Sequence, residues 1–203
     1  MSAASVFAKL RDIGAPTVTT REAAAALRTS TSSASRALRT LANRGLARRI
    51  RHGLWSLADR AADPRLLASE ITRPHPAYVS FASALAAHGV IDQIPREISL
   101  ASTGRAKRVK TSQGTFVVHR VPPNLFGGYD LKDGVAIATP EKALFDFVYV
   151  SQASGRTRQR LPELDLPRSF SRREVERWIK RISSPRLRAL VANAVVRSLE
   201  HAA

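Results

Sequence analysis

Residues 31–57 read TSSASRALRTLANRGLARRIRHGLWSL, and this stretch decides the fold of the amino-terminal part of the chain. Thr31 or Ser32 can cap a helix in which Ala34, Leu38 and Leu41 recur at helical spacing as one apolar face, widened by Ala37. Gly45 suits the left-handed residue that stops such a helix. Two short runs follow, Leu46 to Arg51 and Leu54 to Leu57, on either side of His52-Gly53, and read as a hairpin. The remaining face of the helix is polar: Thr31, Ser32, Ser33, Ser35, Arg36, Arg39 and Thr40. The first arm of the hairpin carries Arg48, Arg49 and Arg51. Trp55 alternates with Leu54 and Leu57, which predicts a core side chain rather than a stacking platform.

Upstream, Val6, Leu10 and Ile13 recur at three- and four-residue spacing and predict a first helix ending at Gly14. Pro16 forces a break. Thr20 can cap a second helix from Arg21 to Leu27, whose alanines favour helix. Three helices followed by a basic hairpin is the layout of a winged helix-turn-helix, expected over residues 1–62. In that layout a helix enters the major groove, its polar face reads base edges, and the wing lays arginines on flanking phosphates. The ten hydroxyl and arginine residues named above are therefore the expected DNA-binding set. The same layout also serves as a protein-interaction module, and the Arg48, Arg49, Arg51 cluster weighs against that use here.

The charge distribution supports this reading. The 203 residues include 33 Lys+Arg against 16 Asp+Glu, a net charge of +17. Of the 33 basic residues, 27 are Arg, as an arginine-rich genome bias would give. A uniform bias would not explain the placement. Residues 1–62 hold 11 basic and 3 acidic side chains, 63–155 hold 10 and 8, and 156–188 hold 11 and 4. Two basic blocks flank a nearly neutral body, which suggests nucleic acid as a partner, then an acidic protein or membrane surface. The absence of cysteine excludes a disulfide framework, a thiolate zinc site and a cysteine nucleophile. No apolar run approaches the roughly 18–20 residues a membrane span needs. The Met-Ser-Ala-Ala-Ser start lacks the basic and apolar regions of a signal peptide. The expectation is a soluble cytoplasmic protein with no membrane partner.

Residues 63–76 read as a linker: Asp63-Pro64 opens a short helix with Leu66, Leu67 and Ile71, and Pro74-His75-Pro76 leads into a second domain over 77–203. Tyr78-Val79-Ser80 leads a helix with Phe81, Leu85 and His88, closed by Gly89. Ile98 to Ala101 reads as a strand, and Arg105 to Lys110 and Thr115 to Val121 as two more joined through Ser112-Gln113-Gly114. Gly127-Gly128 reads as a flexible loop and Val135 to Ala138 as a short strand. Thr139 can cap, Pro140 suits the first helical position, and Glu141 complements the dipole of the helix that follows.

Taken with the amino-terminal winged helix, the segments YVSFASALAAHGVIDQIP (78–95) and VAIATPEKALFD (135–146), with a basic hairpin between them, resemble the AbiEi-type antitoxin family. This is the antitoxin half of abortive-infection AbiE toxin–antitoxin pairs. The resemblance covers nearly the whole chain, and its most specific parts are ATPEKALFD and ALAAHG. It implies an α+β chain: a winged helix-turn-helix followed by a carboxy-terminal α/β antitoxin domain ending in helices. It also implies repression of the antitoxin–toxin operon through operator DNA, an autoregulation, and neutralisation of a nucleotidyltransferase-like toxin. Two operator half-sites would need two copies of the chain, as a homodimer on DNA or as two copies on repeats.

In the carboxy-terminal block, Ser171-Arg172-Arg173-Glu174 reads as a capping box. Val175, Trp178, Ile179 and Ile182 form an apolar stripe, with Trp178 expected in the core. Pro185 starts a last helix with Leu187, Leu190, Val191, Ala194, Val195 and Leu199 facing inward. The basic residues Arg105, Lys107, Arg108, Arg156, Arg158, Arg160, Arg172 and Arg173 are the candidate partner-binding set, for an acidic protein surface or further DNA, against a plain solvated face.

The five histidines, His52, His75, His88, His119 and His201, show no metal-ligand spacing, and no phosphate-cradling glycine motif is present. Glu141-Lys142 has the look of a nuclease acid–lysine pair that would need Asp130 or Asp146 to complete a metal site. Their place at a helix start already accounts for them. No catalytic residue, metal or cofactor is expected. The competing reading is a ligand-responsive winged-helix transcriptional regulator without a toxin partner.

Overall fold

The computed structural model describes residues 2–15, 17–57, 63–155 and 162–200. Among these residues the fold is mixed α+β, with eight α-helices and two sheets. The chain divides into two units. One is Met1–Leu67 with Lys110–Gly114, and the other is Ala68–Val109 with Thr115–Ala203.

The first unit runs α1 (Ala3–Arg11), β1 (Val18–Thr19), α2 (Thr20–Leu27), α3 (Thr31–Asn43), β2 (Ala47–Arg51) and β3 (Leu54–Leu57). The strands form an antiparallel sheet in the order β1-β3-β2. Val6 and Leu10 of α1, Ala23 and Leu27 of α2, and Ala34, Leu38 and Leu41 of α3 pack with Trp55 and Leu57 into one core. The helix starts differ from expectation by one residue. Thr19, not Thr20, caps α2: its Oγ1 accepts from Glu22 N–H at 3.1 Å while Glu22 Oε2 accepts from Thr19 N–H at 2.8 Å. Ser30, not Thr31 or Ser32, caps α3, its Oγ accepting from Ser33 N–H at 3.2 Å. Between them Arg28 takes a left-handed conformation, φ 50°, that closes α2. α1 stops at Arg11, so Ile13 lies beyond its apolar face and is exposed. Within this unit Ser112 donates from its amide to Ile50 O at 3.2 Å and from its hydroxyl to Arg49 O at 3.0 Å.

The second unit holds α4 (Ala68–Thr72), β4 (Ala77–Val79), α5 (Phe81–Ala87), β5 (Ile98–Ser102), most of β6 (Lys107–Thr111) and of β7 (Gly114–Arg120), β8 (Tyr129–Lys132), β9 (Val135–Ala138), α6 (Pro140–Ala153), α7 (Arg172–Lys180) and α8 (Pro185–Glu200). The sheet order is β6-β7-β5-β4-β9-β8. β4 runs antiparallel to β5 and parallel to β9, and β5 runs parallel to β7. Tyr78-Val79 is thus a central strand rather than a helix lead-in. In α8, Leu190 is exposed while Val191, Ala194, Val195 and Leu199 are buried.

The centre of this unit is polar. Lys142 and Asp146, one turn apart on α6, are both 0% exposed and form an ion pair. Asp146 Oδ2 also accepts from Tyr78 OH at 3.0 Å and Ser80 Oγ at 2.8 Å. Burial pushes the Lys142 amine below and the Asp146 carboxyl above its ordinary range, and their mutual attraction opposes both shifts. Burial and the neighbouring Asp146 push the Tyr78 phenol well up, so it stays a donor. Lys142 Nζ lies 4.6 Å from the ring centre of Trp178, 4.9 Å from Phe145 and 5.6 Å from Tyr78. Trp178 is half-buried, with the Arg181 guanidinium also 4.2 Å from its ring centre, rather than deep in the core. Gly128 is not merely flexible. It has φ +71°, and a Cβ there would come within 2.6 Å of Trp178 and 3.0 Å of Lys142 Cγ.

The expected capping box of α7 is half present. Glu174 N–H reaches Ser171 Oγ at 3.4 Å, but Ser171 N–H donates to Glu141 Oε1 at 2.9 Å, and Glu174 accepts from Arg177 Nη1 at 2.5 Å. Glu141 therefore ties α6 to the start of α7.

Either Lys142→Met or Asp146→Asn alone should lower stability by about 3–5 kcal/mol, because each breaks a buried ion pair and leaves its partner uncompensated. The double variant should cost less than the sum, since it leaves no uncompensated buried charge. Urea unfolding of the three variants checks this, and strictly additive losses would exclude a coupled pair. Ser30→Ala should cost about 1 kcal/mol through loss of the α3 cap, read as a lower urea midpoint with unchanged slope.

Candidate nucleic-acid interface

The sequence places hydroxyls at the start of α3 and arginines further along, and Ser30 fixes where that start lies. Thr31, Ser32, Arg36, Arg39 and Thr40 are exposed, and Ser33 and Ser35 are half-buried. Ser33 Oγ also accepts from Ser30 Oγ at 3.0 Å, so it belongs to the cap as much as to the surface. Thr40 Oγ1 donates to Arg36 O at 3.1 Å, and Arg39 Nε to Ser35 O at 3.4 Å.

The hairpin supplies the other side. Strict alternation along β2 would bury every second residue, yet Arg48, Arg49 and Arg51 are all exposed while Ala47 and Ile50 are buried. The register shifts between Arg49 and Arg51: Arg49 pairs with Trp55, and Arg51 with Leu54. This bulge turns Ile50 inward and leaves all three arginines at the surface.

Thr31, Ser32, Ser35 and Arg39 of α3 and Arg49 of β2 line one cleft of about 490 Å³, together with Thr20, His52, Gly53 and Trp55. Sequence reasoning did not mark the last four as site residues. Trp55 is buried, and its indole N–H donates to Thr20 Oγ1 at 3.2 Å, tying β3 to the start of α2. Arg49 sits 5.8 Å from the Trp55 ring centre and its Nη2 lies 3.0 Å from His52 Nδ1. Two partners thus hold Arg49 in place. Arg36, Thr40, Arg48 and Arg51 lie outside this lining, on the surface of the same two elements.

The second candidate set is less coherent. Arg105, Lys107 and Arg108 are exposed, and Arg108 forms an ion pair with Glu97. Arg172 and Arg173 are exposed in the first turn of α7. Arg156, Arg158 and Arg160 lie outside the described residues.

Among the described residues, no group of three or more His, Cys, Asp or Glu side chains could hold a metal ion. Lys142 and Asp146 are sealed from solvent, and Glu141 is engaged by the Ser171 amide, so the acid–lysine sequence pair is taken up by packing. No helix among those residues is long and apolar enough to cross a membrane. Compared with known proteins, the chain matches no family model, and no curated protein matches it.

Proposed function

We propose that the first unit is a winged helix-turn-helix that binds duplex DNA, with α3 as recognition helix and β2–β3 as wing. The observation that carries this reading is the cleft between the two elements. Hydroxyls and Arg39 line it from α3 and a braced Arg49 from the hairpin, with no carboxylate among the described residues of its lining. Arg36 and Arg39 read bases or adjacent phosphates, and Arg48, Arg49 and Arg51 grip the backbone. For the whole chain we propose an antitoxin that represses its own operon and counteracts a nucleotidyltransferase-like toxin without itself being an enzyme. That part rests on the resemblance of residues 78–95 and 135–146 to AbiEi-type antitoxins.

Titrating the DNA upstream of the chain's own gene tests the first part. Each of Arg48→Ala, Arg49→Ala and Arg51→Ala that removes a grip on a phosphate should flatten the slope of log K against log salt by about 0.9 and weaken all sequences alike. Arg36→Ala with Arg39→Ala should cost about 1–3 kcal/mol for each base-reading arginine removed and relax the preferred sequence. Unchanged operator affinity in that double variant would refute the recognition helix.

Co-expression with the neighbouring toxin gene separates the two halves of the proposal. The Arg36→Ala, Arg39→Ala variant should lose repression yet still rescue growth. Failure of the wild-type chain to rescue would instead favour a regulator without a toxin partner.

A further inference from the structure

Among the described residues, the outer strand β8 offers an open edge that is complementary to itself. It pairs with β9 on one side only, in the register Lys132 with Val135, Leu131 with Ala136, Asp130 with Ile137 and Tyr129 with Ala138. The two strands are joined by Asp133-Gly134 alone, both at positive φ, 51° and 80°, the tight turn that a two-residue hairpin requires. Thr139 N–H donates to Gly128 O at 3.0 Å, which sets the phase of the ladder. Because hydrogen-bonded positions alternate along an antiparallel pair, Asp130 and Lys132 direct their backbone groups toward β9. Tyr129 and Leu131 direct theirs to the open side. All four residues are exposed, Leu131 to 77%.

We propose that a second copy of this chain docks on β8, antiparallel, with Leu131 on the two-fold axis. Leu131 N–H then donates to the carbonyl of the partner's Leu131, and the reverse, at the closed position where both groups point outward. One residue either way, Asp130 faces the partner's Lys132, and Lys132 faces the partner's Asp130. These are the close, non-hydrogen-bonded positions where opposite charges attract and like charges repel. The contact is isologous and closes on itself, so it stops at two copies.

The opposite edge of the sheet shows the contrast. β6 carries Lys107, Arg108 and Lys110, and antiparallel self-pairing centred on Arg108–Val109 sets Lys107 against Lys110, like charges face to face. That is how an edge is normally protected from pairing. β8 instead places one acidic and one basic side chain on either side of its centre. The inference does not depend on DNA binding, although it supplies the two copies that two half-sites need.

The interface is small, so the dimer should form reversibly and rise with concentration. Sedimentation equilibrium of the full chain from micromolar to millimolar concentration should show a monomer–dimer equilibrium. Asp130→Lys or Lys132→Asp alone places like charges opposite each other and should weaken dimerisation about tenfold or more. The charge-swapped double variant, Asp130→Lys with Lys132→Asp, should recover it. A chain that stays monomeric throughout overturns the proposal. So does a dimer that neither single swap weakens, or singles that the double swap fails to rescue. Thermal melts of each variant guard against loss of fold as the cause.

Discussion

The second unit is organised around the burial of one ammonium and one carboxylate together. Removing either ion from water costs several kcal/mol, and that cost is offset only where every donor meets an acceptor. Asp146 takes Lys142 on one oxygen and Tyr78 and Ser80 on the other, so α6 is held to β4 and to the joint before α5. Lys142 is enclosed by Tyr78, Phe145 and Trp178, which brings α7 to α6. Shifting α6 by one residue would strand at least one buried charge.

Its demands are visible in local structure that would otherwise be puzzling. Ser80 sits at the cap position of α5 yet makes no capping hydrogen bond, because its hydroxyl is committed to Asp146. The next residue, Phe81, is held at φ 58°, a conformation that costs a bulky side chain energy, and its ring lies 4.4 Å from that of His119. Gly128 has no room for a side chain against Trp178 and Lys142. At Ser80 the buried network thus displaces the local cap, and at Gly128 it leaves room for no residue larger than glycine.

The sequence made some of this legible and concealed the rest, for identifiable reasons. The apolar period of α3, the hairpin after it and the Thr139-Pro140 start of α6 were readable, because each is a local pattern with its own capping or turn chemistry. Strands β1 and β4 have two and three residues, too short for a period to register, and β8 is Tyr-Asp-Leu-Lys, four exposed residues without the apolar run that marked β3 and β9. Lys142 and Asp146 stand four apart in the sequence, a spacing equally suited to an exposed helix pair. Only the tertiary packing shows that both are sealed. The cleft was half legible: its arginines and serines were expected from α3 and β2. Thr20, His52, Gly53 and Trp55 reach it from separate segments, through contacts that no local pattern encodes.

The electrostatics of the first unit favour an anionic partner for a reason beyond net charge. α2, α6 and α7 each carry a glutamate in the first turn, answering the positive end of the helix dipole from within the chain. α3, like α1, α5 and α8, has none, and its first turn holds only hydroxyls and Ala34. That end opens onto a cleft with Arg39 on one wall and Arg49 on the other. Two guanidinium groups and the hydroxyls at the start of α3 thus line one space, and no described residue of its lining carries a counter-charge. A phosphate of duplex DNA, the partner proposed for this unit, would supply such a charge from outside, with the serine and threonine hydroxyls as neutral donors beside it.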